Sequence, residues 1–174
     1  GCEPRMFETS DGKYRFMKVG GMYNIRDLGG HGIKQGLLYR GTELDIEYFI
    51  TEDGIKTFLD ELKIKSEIDV RWEHVGKFKH SVASENVAIA QFPFRPYNAI
   101  FDEQYKESTR RFMEYLADES NYPMYIHCMV GADRTAMVVF MIKAIAGESE
   151  MDMLLDFDLT SQSRVAPANH FRRH

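Results

Sequence analysis

The chain of 174 residues carries 22 lysines and arginines against 27 aspartates and glutamates, a net charge of −5, with 44% hydrophobic and 13% aromatic residues. That balance is enough to bury the core of one domain and lies outside the disordered range, while the negative charge excludes general affinity for nucleic acid or an anionic membrane surface. No apolar run approaches a membrane span, and two cysteines, Cys2 and Cys128, do not make a disulfide scaffold.

In chain order, residues 1–20 mix charges with Gly12, Gly20 and Gly21 and predict an irregular lead-in to one domain spanning 1–174. No intact signal peptide is read there. Cys2, directly after Gly1, marks either an arbitrary start or the first mature residue of a bacterial lipoprotein, so the compartment stays open between cytoplasm and export. Short strands are predicted near Tyr23–Ile25 and Leu37–Arg40. Thr51 can cap a helix carrying Ile55, Phe58, Leu59 and Leu62 on one face. Strands follow at Ser66–Val70 and Asn86–Phe92, then a helix over Asp102–Glu119 using Tyr105, Phe112 and Leu116. Tyr122–Ile126 reads as a buried strand, and Arg134–Ala146, apolar almost all round, as a buried helix with Gly147 as its left-handed stop. Glu148–Leu159 is a further amphipathic helix, and residues 163–174 a tail. This alternation predicts an α/β fold with a mostly parallel central sheet flanked by helices.

The chemistry concentrates between that last strand and its helix, in His127-Cys128-Met129-Val130-Gly131-Ala132-Asp133-Arg134-Thr135. A loop there turns free backbone N–H groups inward, and the helix N-terminus adds partial positive charge, so it binds a phosphate-sized anion. A thiol facing such donors and a guanidinium is stabilised as thiolate, which makes Cys128 a nucleophile. The planar fork of Arg134 can bond two phosphoryl oxygens, and Gly131 lets the backbone approach the anion closely. The amides of Met129, Val130, Gly131, Ala132, Asp133, Arg134 and Thr135 are the candidate phosphate ligands. Thr135 can donate to the thiolate, and His127 fixes the loop by bonding backbone carbonyls. Arg26, Arg40, Arg71, Arg95 and Arg134 can supply a local positive field.

His-Cys-x5-Arg-Thr resembles the signature of cysteine-dependent phosphatases of the tyrosine and dual-specificity kind. Asn24-Ile25-Arg26-Asp27-Leu28-Gly29-Gly30, Arg40-Gly41-Thr42-Glu43-Leu44 and Asp69-Val70-Arg71 with Glu73 resemble the N-x-R-D-L-G-G, R-S-x-x-L and D-L-R-x-x-E blocks of their atypical, mostly microbial branch, which includes secreted bacterial tyrosine/lipid phosphatases. Asp158-Leu159-Thr160-Ser161 is similar to that branch's D-Y-x-x-T-N stretch. Where the branch usually has Gly-Lys-Asp-Arg-Thr-Gly, this chain has Ala132 and Ala136, and so lacks the lysine associated with highly charged lipid head groups.

The resemblance implies a phosphomonoesterase acting through a phosphocysteine, with phosphotyrosine ahead of phosphoserine, phosphothreonine and lipid or inositol phosphate, carried on a protein or a small phosphomonoester. Its loop aspartate, here Asp133, is placed ahead of Asp102 as the proton donor; a helix cap is the structural alternative for Asp133. Asn24, Arg26 and Asp27 are expected to clasp the loop, and Arg71 either to face substrate or to pair with Asp69 or Glu73. Arg95, Tyr97, Asn98 and Phe101 fall in a loop able to cover the pocket. Trp72 is expected to pack. His31, His74, His80, His170 and His174 show no metal-ligand spacing, so neither a metal nor a cofactor is expected. Two other readings stay open: a sulfurtransferase or arsenate-reductase-like thiol enzyme, and a non-catalytic phosphate-binding module.

Overall fold

The computed structural model describes residues 6–8, 14–93 and 102–162, and everything below concerns those residues. Five strands form the main sheet in the spatial order β3-β4-β7-β5-β6: β3 (Arg26–Asp27), β4 (Leu38–Gly41), β7 (Met124–His127), β5 (Ser66–Asp69) and β6 (Ala88–Gln91). All pairings are parallel except β3 with β4. The expected mostly parallel α/β sheet is therefore the observed one. Strands β4, β5 and β7 are buried throughout, as parallel strands covered on both faces must be.

Alternation along these strands sorts two cores. Leu38, Ile68, Met124 and Ile126 point to one face, where Phe112 of α2 (Lys106–Ala117) and Val138 and Val139 of α3 (Asp133–Ile145) close over them. Tyr39 and Tyr125 point to the other, against Phe58, Leu62, Val19 and Ile25. The segment bearing Phe58 starts as helix α1 (Glu52–Lys56), capped by the Thr51 hydroxyl on Gly54 N at 3.1 Å, and continues as a π-helical turn over Thr57–Glu61.

Several boundaries differ from expectation. The lead-in is not wholly irregular, because β1 (Met6–Glu8) and β2 (Tyr14–Met17) pair antiparallel. The strand expected at Tyr23–Ile25 lies at Arg26–Asp27; Asn24 takes a left-handed φ of 57°, which ends strand geometry and turns its side chain inward. A 3₁₀ turn over Glu103–Tyr105 precedes α2, so the helix starts later than predicted. Helix α3 begins one residue earlier, at Asp133, and leaves Phe140 and Ile145 exposed rather than being buried all round. Gly147, with φ 76°, ends it as anticipated. Helix α4 (Glu150–Gln162) packs beside α3. No described helix is long and apolar enough to cross a membrane.

Parallel pairing aligns the carboxyl ends of three central strands. Gly41, His127 and Asp69 are register partners across β4, β7 and β5. The residues that follow them, Thr42 and Glu43, Cys128, and Val70 and Arg71, consequently emerge at one edge of the sheet. That edge is where open α/β sheets bind ligands.

Candidate active site

Central strand β7 delivers Cys128 to this edge, and the loop Cys128–Ala132 joins it to the N-terminus of α3. Cys128 is a free thiol and 4% exposed. Four of the five carbonyls of this loop are held by hydrogen-bond donors. His127 Nδ1 lies 2.8 Å from the Cys128 carbonyl, Glu43 N donates to the Met129 carbonyl at 2.8 Å, and Ala136 N donates to the Ala132 carbonyl at 3.3 Å. The Gly131 carbonyl accepts from Arg40 Nη2 at 2.5 Å and from Asn24 Nδ2 at 3.3 Å. In a trans peptide the N–H points opposite to the C=O. Pinning these four carbonyls therefore turns the amides of Met129, Val130, Ala132 and Asp133 to the opposite side, and among the described residues no acceptor meets those of Met129, Val130 or Ala132.

Gly131 permits the tight curve. Its φ is 74°, and a Cβ there would lie 2.3 Å from the Gly41 carbonyl oxygen. Any side chain would push the loop off β4.

Helix α4 braces the loop from a distance in sequence. Asp156 accepts from Arg26 Nε at 2.8 Å and from Arg40 Nη1 at 2.6 Å, and Arg26 also bonds the Asn24 side-chain oxygen at 2.5 Å and Thr160 Oγ1 at 3.2 Å. Burial, then the charge of Arg40, lowers the Arg26 pKa to about 10 despite Asp156. Burial would raise the Asp156 carboxyl, but Arg40 and Arg26 hold it below its ordinary value. Asn24, Arg26 and Arg40 thus form a clasp on the loop. Asp27 does not belong to it; its two oxygens take Gly29 N and Gly36 N, each at 2.8 Å, and shape the turn after β3.

Arg71 is turned inward and paired. It is fully buried among carboxylates, with Asp69 Oδ1 at 2.8 Å, Asp45 Oδ1 at 2.6 Å and a short contact to Glu43. The expected pairing with Asp69 is present and that with Glu73 is not. Of the arginines expected to supply a local field, Arg26, Arg40 and Arg71 are all buried and bonded inward. Arg134 is the partly open one, with its side chain 12% exposed and Nη1 2.5 Å from Glu73 Oε2. Burial raises the Glu73 carboxyl, but hydrogen bonds from Arg134 and the backbone hold it below its usual range.

Around the thiol, Thr135 is completely buried and its hydroxyl has no partner among the described residues. Asp133 is exposed in the first turn of α3; the capping position is Ala132, and no side-chain cap bond is made, so Asp133 is not the cap of the structural alternative. Asp102 instead caps the turn before α2, accepting from Gln104 N at 3.3 Å and Gln104 Nε2 at 2.8 Å. Trp72 is 46% exposed rather than packed in the core. Arg95, Tyr97, Asn98, Phe101, Cys2, His170 and His174 lie outside the described residues. Among the described residues, no group of three His, Cys, Asp or Glu side chains is placed to hold a metal ion.

The sequence profile of the tyrosine phosphatase family matches residues 17–174. The chain belongs to the tyrosine phosphatase family. Its fold is similar to the core catalytic domain of the PP-IP phosphatase Siw14 from S. cerevisiae, solved with citrate, at 15% identity and a TM-score of 0.56 over 83% of this chain and 79% of that one. A second structure of the Siw14 catalytic core gives 15% identity and 0.55 over 84% and 80%. TpbA from P. aeruginosa gives 16% identity and 0.50 over 78% and 73%. No curated protein sequence matches significantly.

Several residues of this tyrosine phosphatase family site are not singled out by sequence reasoning. Asp156 is the aspartate that reaches the clasp, whereas Asp158, quoted for the D-Y-x-x-T-N resemblance, is exposed. The available signal was helical spacing: Asp156 and Thr160 are four apart and share a face, and both contact Arg26. Glu43 and Asp45 carry no local signal for their pairing with Arg71. Glu67, whose Oε1 lies 2.7 Å from His127 Nε2, sits in the buried strand β5 between Ser66 and Ile68. Such a buried carboxylate needs a partner, but the partner's identity depends on strand order.

Proposed function

We propose that the chain is a cysteine-dependent phosphomonoesterase acting through a phosphocysteine, with phosphotyrosine as its leading substrate. The observation that carries this reading is the set of four held loop carbonyls, which turns the amides of Met129, Val130 and Ala132 away from them without an acceptor among the described residues, in the loop that links Cys128 to a helix whose first turn bears Arg134 and the unpartnered Thr135 hydroxyl.

In the first step Cys128 Sγ attacks phosphorus in line, the S–P bond forms as the ester P–O bond breaks, and Asp133 delivers its proton to the departing oxygen. Glu73 orients Arg134 through one nitrogen and leaves the rest of the fork for phosphoryl oxygens, whose negative charge the loop amides also stabilise. In the second step Asp133 takes a proton from water as its oxygen attacks phosphorus. Inorganic phosphate leaves, and the thiolate is received by the Thr135 hydroxyl. Ala132 at the rim, together with Arg26, Arg40 and Arg71 turned inward, favours a singly phosphorylated aryl ester over a polyphosphorylated ligand. The fold shared with the PP-IP phosphatase Siw14 keeps phosphorylated inositol as the competing substrate class.

The test is Cys128→Ser with a phosphotyrosine peptide and a PP-IP substrate side by side. Turnover is expected to fall to below about a hundredth while vanadate binding persists, because the hydroxyl is a far weaker nucleophile and the cradle is unchanged. Retained turnover removes the phosphocysteine, and faster turnover of the inositol substrate by the native chain reverses the order of substrates.

A further inference from the structure

His127 sits immediately before the nucleophile, and both of its ring nitrogens meet acceptors. Nδ1 lies 2.8 Å from the Cys128 carbonyl oxygen and Nε2 2.7 Å from Glu67 Oε1. A carbonyl cannot donate, and neither can Glu67 as a carboxylate; with Glu67 ionised, both nitrogens carry protons and the ring is an imidazolium. The pair is sealed, His127 being 0% and Glu67 1% exposed. Glu67 Oε2 has no partner among the described residues, so its charge is directed to the histidine alone.

Every group facing the ring fits that state. From β5 come Glu67 and Asp69, which are register neighbours of Tyr125 and His127. Arg71, just beyond β5, is the one facing cation, and it is already ringed by Asp69, Asp45 and Glu43. On β7, the Tyr125 ring lies 5.7 Å from the imidazole, but its hydroxyl donates to the Thr42 carbonyl at 2.5 Å and cannot relieve Glu67. Burial works against the charged ring, yet the Glu67 hydrogen bond and the carboxylate charges outweigh it and push His127 up to about 9.

We propose that Glu67 is a positioning residue for the nucleophile: it holds His127 as an imidazolium, so that a buried carboxylate–imidazolium dipole presents its positive end to Cys128. Glu67 meets Nε2, across the ring from the Nδ1 that meets the Cys128 carbonyl, so its negative charge is more distant from the Cys128 peptide than the positive charge it sustains. The net field stabilises the thiolate over the thiol. Neutral histidine would keep the hydrogen bond to the Cys128 carbonyl and lose the field. This rests on reading Cys128 as the nucleophile.

The test uses the full chain in a Cys2→Ser background, so that alkylation by iodoacetamide reports Cys128 alone. Its rate against pH gives the thiolate midpoint without any turnover, and kcat/KM for an aryl phosphate is profiled over the same range. Glu67→Gln is nearly isosteric and can still bond Nε2 of a neutral ring. It is expected to raise the alkylation midpoint by about one unit and to move the acidic limb of kcat/KM with it. A folded Glu67→Gln chain with an unmoved midpoint overturns the proposal. Should that variant not fold, the native chain decides: two ring N–H signals for His127 in nitrogen NMR at pH 7.5 support it, and a single-tautomer neutral ring refutes it. A midpoint that shifts in a chain whose Cys128→Ser variant still turns over would instead refute the phosphocysteine while leaving the dipole standing.

Discussion

Asp133 and Asp102 occupy different local structures, and that difference sets what each substitution does. Asp133 is exposed at the first turn of α3, beside the loop and without a capping bond. Asp102 is tied to both nitrogens of Gln104 and serves its own turn. An unactivated phenol must be protonated as it departs, whereas one bearing an electron-withdrawing group needs little help. Asp133→Asn is therefore expected to lower kcat by roughly 10²–10⁴ for the poor leaving group and much less for the activated one. Asp102→Asn should change both by similar, small factors. Steady-state comparison of the two esters checks this, and a steep dependence in Asp102→Asn instead would move the acid to the loop before α2. Arg134 gives a second prediction at this scale: Arg134→Lys keeps the charge but loses the fork and the Glu73 alignment, so kcat should drop about 10²–10³, as for loss of an oxyanion donor. A rise in KM alone would make Arg134 a ground-state anchor.

Helix α4 is distant from Cys128 in the chain and yet braces its loop, because Asp156 is, among the described residues, the carboxylate partner of two adjacent buried guanidinium groups. Removing that carboxylate leaves Arg26 and Arg40 facing each other inside the protein, and breaking such a buried pair costs about 3–5 kcal/mol. Asp156→Ala is thus expected to lower stability by that order in urea titration. Phosphate or vanadate affinity should fall as well, since Arg40 also holds the Gly131 carbonyl. Loss of stability with unchanged anion affinity in the folded fraction would mean that α4 braces the sheet without setting the loop. The same logic explains why the first and last resembling blocks are needed together: Asn24 and Arg26 from one end of the fold meet Thr160 from the other.

For the molecule as a whole, buried charges impose a pH window on stability. The folded pKa of His127, about 9, lies above the ordinary 6.5, so the folded state binds that proton more tightly than the unfolded chain. Its contribution is complete below pH 6.5 and is lost as pH rises through about 9. Asp69 and Asp156 act oppositely. Both are held below the usual 3.8, Asp69 because hydrogen bonds from Arg71 and nearby positive charges overcome the upward push of burial, so their contributions are present above that pH and disappear as it falls through their folded values. Tm is accordingly expected to peak on the acidic side of neutrality and to fall between pH 6.5 and 9, with Glu67→Gln flattening that alkaline slope. Scanning calorimetry across the range checks it, and a Tm that climbs from pH 6.5 to 9 contradicts the buried imidazolium.

Sequence by itself determined what local pattern can carry. Buried strands, the Thr51 cap, the Gly147 stop and the mostly parallel sheet follow from apolar runs and turn residues, which act over a few neighbours. The cysteine, glycine and arginine of the anion loop were legible for the same reason, being close together between a strand and a helix. Tertiary structure alone decided which of several buried charges meet. Arg71 had neighbours in the chain at Asp69 and Glu73, yet it took Glu43 and Asp45 as well, and Glu73 went to Arg134. Glu67 became the partner of His127 only because β5 lies beside β7 with Glu67 opposite Tyr125, and Asp156 reached Arg40 only because α4 packs beside α3 at the end of the fold. Charge pairing in a low-dielectric interior is strong but has no sequence period, so its partners are set by strand order and helix placement rather than by spacing along the chain.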